Sequence, residues 1–231
     1  MRLFTRHGLT VSVLAALTLG LAGCGGNDNL PSKTPISKVY VMGDSLADVG
    51  TFGGLKFTVQ DPVNPKNSLI WPQIVASNFG LDGSAQCNFF SIGASGVTTN
   101  PACGNYAVGG ARIVNKATDT LPTVGAQLAA RAPAGYASTD LLLVDGGGND
   151  AADLVTAYLT VAAGGPASAY QGFLMQQLDA ATLGAQFTQD PTGAMAAGAY
   201  MQKLADTYFD AIKTQALDKG ATHVAVLNIP D

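Results

Sequence analysis

Short apolar runs alternate along this chain with longer segments in which apolar residues recur at helical spacing. The apolar runs, bounded by turn-forming residues, predict four strands at 38–42, 104–108, 140–145 and 222–228. Helical spacing predicts helices over 69–76, 122–131, 151–163 and 194–219, a helical hairpin arm over 166–188, and irregular structure over 81–104. Strands that alternate with helices indicate an α/β fold built on a doubly wound, parallel sheet.

Small and polar residues follow the first three predicted strands. In chain order these segments are Gly43-Asp44-Ser45-Leu46, Gly109-Gly110 and Gly146-Gly147-Gly148-Asn149. The carboxyl ends of parallel strands share one edge of a sheet, so the three segments can converge there. A serine beside a helix N-terminus suits nucleophilic chemistry, and an uncharged amide with nearby backbone N–H groups suits an oxyanion. The simpler alternative is that Ser45 or Asp44 only caps a helix.

A family resemblance rests on these residues. Gly43-Asp44-Ser45-Leu46, Asn105 to Ala111 and Gly147-Gly148-Asn149-Asp150 resemble, in this order, the first three sequence blocks of the GDSL or SGNH esterases and lipases. The resemblance covers most of residues 38–231. It implies a flavodoxin-like parallel sheet with flanking helices, the SGNH hydrolase fold, and hydrolysis of a small-molecule or lipid ester through an acyl-serine intermediate.

The resemblance also implies roles for individual residues. Ser45 would be the nucleophile. The backbone N–H of Gly110 and the side-chain amide of Asn149 would form the oxyanion hole together with the N–H of Ser45. Asp48 matches the first block but is assigned no chemical step.

The family's fourth block, Asp-x-x-His, has no counterpart in this chain. The two histidines are His7, in the N-terminal segment, and His223, which opens the last predicted strand and so points to the wrong edge of the sheet. We therefore expect His223 to be structural, the fold to be incomplete at the C-terminus, and residues 1–231 to contain no catalytic Asp or His and to show little turnover. The alternative is a catalytically inert lipoprotein that retains the pocket for binding.

The N-terminus has the pattern of a targeting segment. Arg2 and Arg6 precede an apolar run over 9–21, which ends in Leu-Ala-Gly before Cys24 and resembles the lipobox of bacterial lipoproteins. The pattern predicts a lipoprotein signal peptide over 1–23, a flexible tether over 24–36 and the hydrolase domain over 37–231. Lipidation at Cys24 would anchor the protein to a membrane of the bacterial cell envelope, at the outer membrane and periplasm or at the cell surface. The alternative is an ordinary secretory signal with a chance cysteine.

Export would place the two remaining cysteines, Cys87 and Cys103, in an oxidising compartment. We therefore expect them to form a disulfide, which would contribute about 3 kcal/mol for a loop of this length. The alternative is a pair of free thiols.

Composition and spacing argue against other functions. The formal net charge is −4 with no basic cluster, so nucleic-acid binding is not expected. Residues 146–151 fit a dinucleotide-binding glycine pattern, but the acidic residue required about 20 positions later is missing. Asp145, Asp150 and Asp153 could suggest a metal, yet no His/Cys cluster has zinc spacing, and capping or solvation accounts for these carboxylates. The sequence predicts no cofactor and no metal.

Overall fold

The computed structural model of the chain describes residues 35–58, 61, 63–64, 68–83, 86–113 and 121–228. The predicted signal peptide and the tether as far as residue 34 lie outside the described residues. The strands are β1 (Lys38–Met42), β2 (Phe90–Gly93), β3 (Gly96–Thr99), β4 (Asp140–Val144) and β5 (His223–Val226). The α-helices are α1 (Trp71–Asn78), α2 (Val124–Arg131), α3 (Gly148–Ala162), α4 (Ala167–Leu174), α5 (Ala180–Gln189) and α6 (Ala194–Gln215).

Strands β1, β4 and β5 form a parallel sheet in the order β1-β4-β5. All five residues of the central strand β4 are buried. A strand covered on both faces needs a continuous apolar run, which is what Leu-Leu-Leu-Val supplies. The predicted α/β fold with a parallel sheet is confirmed.

Alternate side chains of each strand point to opposite faces of the sheet, and helices cover both faces. One face packs against α2 and α6, and its buried cluster includes Met42, Leu128, Leu142, Val144 and Ile212. The other face packs against α1, and its cluster includes Val39, Val41, Ala76, Leu141 and Leu143. The sheet is therefore doubly wound.

The helical hairpin arm predicted over 166–188 corresponds to α4 and α5. It has an apolar cluster of its own, formed together with α3 and α6 by Leu154, Tyr170, Leu174, Leu178, Leu183, Tyr200 and Leu204. The long helix α6 takes part in both this cluster and the sheet cluster, through Leu204 and Ile212 respectively.

The predicted strand over 104–108 is wrong in part, because the segment pairs with β1 without forming a regular strand. The segment runs beside β1, where Tyr106 N–H donates to the Val41 carbonyl at 2.7 Å, but only Asn105 forms isolated β-bridges. The Val41 N–H also donates to the Gly104 carbonyl at 3.0 Å, and the Val108 N–H to the Gly43 carbonyl at 3.1 Å, so every second residue of the segment bonds to the β1 side. The Ala107 N–H, which alternates with these groups, donates to Asn105 Oδ1 at 3.0 Å and so does not pair with a further strand.

The expectation of irregular structure over 81–104 is also wrong in part, because β2 and β3 form an antiparallel hairpin there. β3 is exposed throughout, so this hairpin lacks the apolar alternation by which a half-buried strand is recognised. A disulfide between Cys87 and Cys103, with an S–S distance of 2.02 Å, closes the loop that carries the hairpin.

None of the helices in the described ranges is both long enough and apolar enough to span a membrane.

Candidate active site

Ser45 lies in a tight turn that follows β1, here called the serine turn (residues 43–48). The N–H groups of Ala47 and Asp48 both donate to the Asp44 carbonyl, at 3.2 and 3.1 Å. Ser45 is half-buried. The turn therefore presents the serine at the carboxyl end of a buried strand, the edge at which open α/β sheets place their sites.

Helix α2 fixes the entry to the serine turn through Gln127, which is fully buried. Its Oε1 accepts the Gly43 N–H at 2.7 Å, and its Nε2 donates to the Gly43 carbonyl at 2.9 Å. The position must be glycine, because a Cβ on Gly43 would lie 1.7 Å from Asp145 Oδ1. Close packing on Gly43 thus joins the serine turn to both α2 and the end of β4.

Asp48 links the serine turn to the glycine pair at 109–110. Its carboxylate is fully buried and accepts three backbone N–H groups, from Gly50 at 2.8 Å, Thr51 at 2.7 Å and Gly109 at 2.8 Å. The N–H of Gly109 is therefore engaged. Gly110 has a φ of 80°, and its N–H, like that of Ser45, donates to no acceptor within the described residues.

Asn149 brings the three predicted segments together. It is the second residue of α3, which starts after Gly146 and Gly147, with φ values of 148° and 98°. Its Nδ2 donates to the Ala111 carbonyl at 2.9 Å and reaches Asp44 Oδ2 at 3.4 Å, a long and therefore weak bond. One amide thus contacts the serine turn and the residue that follows Gly110.

A buried pair of carboxyl groups lies beneath the site. Asp145 is 2% exposed, and its Oδ1 accepts the Asp44 N–H at 2.9 Å. Burial, and then the negative charge of Asp44, raise the pKa of Asp145 to about 7. Burial also raises the pKa of Asp44, and burial with both carboxylates raises the pKa of Tyr208 on α6.

One cavity adjoins the serine turn, and a second cavity adjoins the first. One of about 160 Å³ is bordered by Asp44 and Leu46 on one side and by Leu227 and Asn228, just beyond β5, on the other. A second, of about 380 Å³, shares Leu227 and Asn228 with the first and extends along α6 past Leu204. Leu227 and Asn228, which directly follow β5, therefore lie close to the serine turn.

The histidine among the described residues, His223, lies at the far end of the sheet. It pairs in register with Leu141 near the start of β4, whereas the residues around Ser45 follow the ends of the strands. His223 is half-buried and is the first residue of β5.

The neighbouring carboxylates Asp150 and Asp153 have structural partners. Asp150 accepts the Ile113 N–H at 2.9 Å, and Asp153 pairs with Arg112 at 2.6 Å. Across the part of the chain that the structure describes, no group of three or more His, Cys, Asp or Glu side chains could hold a metal ion.

Sequence reasoning missed two features that hold the site. One is Gln127, and the other is the hydrogen bond that Asp145 accepts. Both carry a visible signal. Gln127 is an amide beside Val124 and Leu128 on the buried face of α2, and Asp145 is a carboxylate directly after a fully buried strand. Buried polar groups of this kind are expected to have specific partners.

The parallel sheet with helices on both faces defines the chain as an α/β protein. A family model described as GDSL-like Lipase/Acylhydrolase matches residues 39–223, and the chain belongs to this family. It is also similar to a Pseudomonas putida protein described as "Uncharacterized protein in trpE-trpG intergenic region", with 30% identity over 158 residues. That match covers 59% of this chain and 26% of the relative, so the chain spans about a quarter of the length of the curated relative it matches.

Proposed function

We propose that this site hydrolyses carboxylic esters through an acyl-serine intermediate, with Ser45 as the nucleophile. Membership of the GDSL family supports ester hydrolysis as the reaction class. The observation that carries the proposal is the position of Asn149, whose amide contacts both the serine turn and the residue after Gly110. A donor shared by these segments is suited to an oxyanion formed beside Ser45.

The oxyanion hole in this proposal has three donors. The backbone N–H groups of Ser45 and Gly110 have no acceptor within the described residues, so both can bond to a ligand. Gly109 is the poorer candidate because its N–H already donates to Asp48 at 2.8 Å. The Asn149 amide would exchange its long contact with Asp44 for a charge-assisted hydrogen bond to the oxyanion.

In the reaction, Ser45 Oγ attacks the ester carbonyl carbon while its proton passes to a general base. The carbonyl oxygen becomes the oxyanion, the base returns the proton to the departing alcohol, and the acyl-serine remains. Water, deprotonated by the same base, then releases the carboxylic acid and restores Ser45.

We propose that the base is supplied by polypeptide that follows β5. The support is the cavity of about 160 Å³ beside Asp44 and Leu46, which is also bordered by Leu227 and Asn228 just after β5. His223 lies opposite Leu141, at the start of β4, and is poorly placed for that role.

The test compares ester hydrolysis by the 231-residue protein and by a version extended through an Asp-x-x-His block. On a short-chain aryl ester we expect little or no turnover from the former and clear turnover from the latter. Ser45→Ala should abolish the activity of the extended protein, and Asn149→Ala should lower its kcat on the order of a hundredfold. The exposed Asn64→Ala is the matched control for the second variant and should leave kcat unchanged.

Robust turnover by the 231-residue protein that depends on Ser45 would contradict the proposed source of the base. An extended protein that binds a non-hydrolysable ester analogue without turning over the ester would favour the inert binding lipoprotein instead.

The proposed place of action is the bacterial cell envelope, with the protein held on a membrane by lipid attached to Cys24. The support is the sequence pattern of residues 1–24, in which basic residues and an apolar run precede Leu-Ala-Gly-Cys.

A further inference from the structure

Asp145 is a buried carboxyl group with only one oxygen in a hydrogen bond. Its Oδ1 accepts the Asp44 N–H at 2.9 Å, while its Oδ2 is buried without a hydrogen-bond partner among the described residues. Leaving an ionised carboxylate oxygen buried and unpaired is costly. The side chain nevertheless lies directly beneath the serine turn, where Oδ1 occupies the space of a Cβ on Gly43.

Within the described ranges, the groups that face Asp145 supply no positive charge. From the serine turn it faces the carboxyl group of Asp44, which is 4% exposed. From α6 it faces the Tyr208 hydroxyl, which is buried and lacks a hydrogen-bond partner in the described ranges. From α1 the Trp71 indole N–H approaches the carboxyl group and favours its charged form weakly, although the contact falls short of hydrogen-bond geometry.

Asp44 connects this buried pair to the oxyanion site. Its Oδ1 accepts the Leu46 N–H at 3.0 Å within the serine turn, and its Oδ2 is the acceptor 3.4 Å from Asn149 Nδ2. A second negative charge on Asp145 would repel the Asp44 carboxylate in a medium of low dielectric. A change in the charge of Asp145 would therefore act on Asp44 and, through the contact of 3.4 Å, on the Asn149 amide.

We propose that Asp145 is a positioning residue that supports the serine turn as a neutral carboxylic acid, and that loss of its proton displaces Asp44 and the Asn149 amide. The consequence of this role for catalysis rests on the proposed function. The proton coupling itself is a property of the fold that can be measured without any ester turnover. Because the pKa of Asp145 is raised to about 7, this proton can be titrated within the pH range in which proteins are ordinarily studied.

The chain offers a direct probe, because Trp71 is its only tryptophan and lies against Asp145. In the 231-residue protein we expect Trp71 emission to change in one step between about pH 5 and pH 8. The side-chain amide resonance of Asn149, assigned by its loss in Asn149→Ala, should shift with the same midpoint. Asp145→Asn keeps an acceptor for the Asp44 N–H but cannot ionise, so both steps should disappear.

Asp140→Asn is the matched control, because Asp140 is a buried carboxyl group at the opposite end of the same strand. This variant should retain both pH steps. Steps that persist in Asp145→Asn would overturn the proposal, and so would a wild-type protein in which Trp71 and Asn149 lack a common midpoint. An Asp145-dependent change in Trp71 emission with an unmoved Asn149 amide would overturn the positioning role.

These outcomes are separate from the proposed function. A catalytically inert protein would still show the two coupled pH steps. An active ester hydrolase could equally lack them, in which case only the role of Asp145 is refuted.

Discussion

Two buried polar side chains, Asp48 and Asn105, hold the site together without any step of their own in ester hydrolysis. Asp48 accepts N–H groups on both sides of the site, and Asn105 Nδ2 donates to the Ala47 carbonyl at 2.9 Å. Buried polar groups whose hydrogen bonds are all satisfied specify one arrangement of the backbone. The motif residues around Ser45 therefore serve mainly to fix its geometry.

At the same scale, Asp145 should make the stability of the fold depend on pH. Its folded pKa of about 7 exceeds the ordinary value of 3.8, so the native state holds a proton that the unfolded chain has lost. Stability from this group is complete below about pH 4 and falls as pH rises to about 7. Asp145→Asn should therefore gain free energy of unfolding relative to wild type across that window, by about 1–4 kcal/mol.

Chemical denaturation at several pH values between 4 and 8 measures this difference. The exposed Asp218→Asn is the control, and its difference from wild type should stay small because exposed ion pairs contribute little. A difference for Asp145→Asn that stays constant with pH would show that the native carboxyl group is ionised throughout.

At the scale of elements, α2 acts on the site through Gln127. Replacing Gln127 by Leu would leave the buried N–H and carbonyl of Gly43 without the bonds of 2.7 and 2.9 Å that they now make. Unsatisfied buried groups cost about 1–3 kcal/mol each, so we expect a loss of stability of that order. Because Gly43 is the first residue of the serine turn, the extended protein should also lose kcat. Thermal unfolding and ester hydrolysis measure the two effects.

The exposed Gln189→Leu on α5 is the control for this substitution and should leave stability and kcat nearly unchanged. A Gln127→Leu protein with wild-type stability would mean that Gly43 finds other partners.

The predicted helices agree with the structure at this scale, and the predicted strands agree with it where one face of the strand is completely buried. β1 and β4 follow the expected positions because every side chain on at least one face is buried, which produces an apolar run. The segment 104–108 bonds to the β1 side through the N–H groups of Tyr106 and Val108, yet the Ala107 N–H donates to the Asn105 side chain instead of to a further strand. Such competition between a side chain and the backbone depends on where the asparagine lies, and no apolar pattern reveals it.

At the scale of the whole molecule, the disulfide between Cys87 and Cys103 closes a loop with a sequence separation of 16. Restricting the unfolded chain by a loop of this size should stabilise the fold by about 3 kcal/mol. Unfolding of wild type and of a Cys87→Ser/Cys103→Ser double variant, each with and without reductant, measures it. Reductant should destabilise only the wild type, and non-reducing peptide mapping should recover the linked peptides. Alkylation of both thiols without prior reduction would refute the bond.

The other prediction at this scale is the lipid anchor. The basic and apolar pattern before Leu-Ala-Gly-Cys predicts that Cys24 becomes the lipidated first residue of the mature protein. Cys24→Ser should leave the protein uncleaved or soluble, because a protein without acyl chains loses its membrane affinity. Detergent partitioning and mass spectrometry of the mature N-terminus test this. A free, unmodified N-terminus at any other residue would exclude the anchor.

Local pattern was sufficient for the fold class, for the central strands and for the three segments that meet at one edge of the sheet. These features depend on apolar runs, on glycines that permit turns and on the geometry of parallel strands, all of which are legible over a few neighbouring residues. The bonds that hold the site were decided only by the tertiary structure. Gln127 meets Gly43 across 84 positions, and Asp145 meets Asp44 across 101. Which distant groups become partners, and what charge a buried carboxyl group carries, depends on the packing that surrounds them.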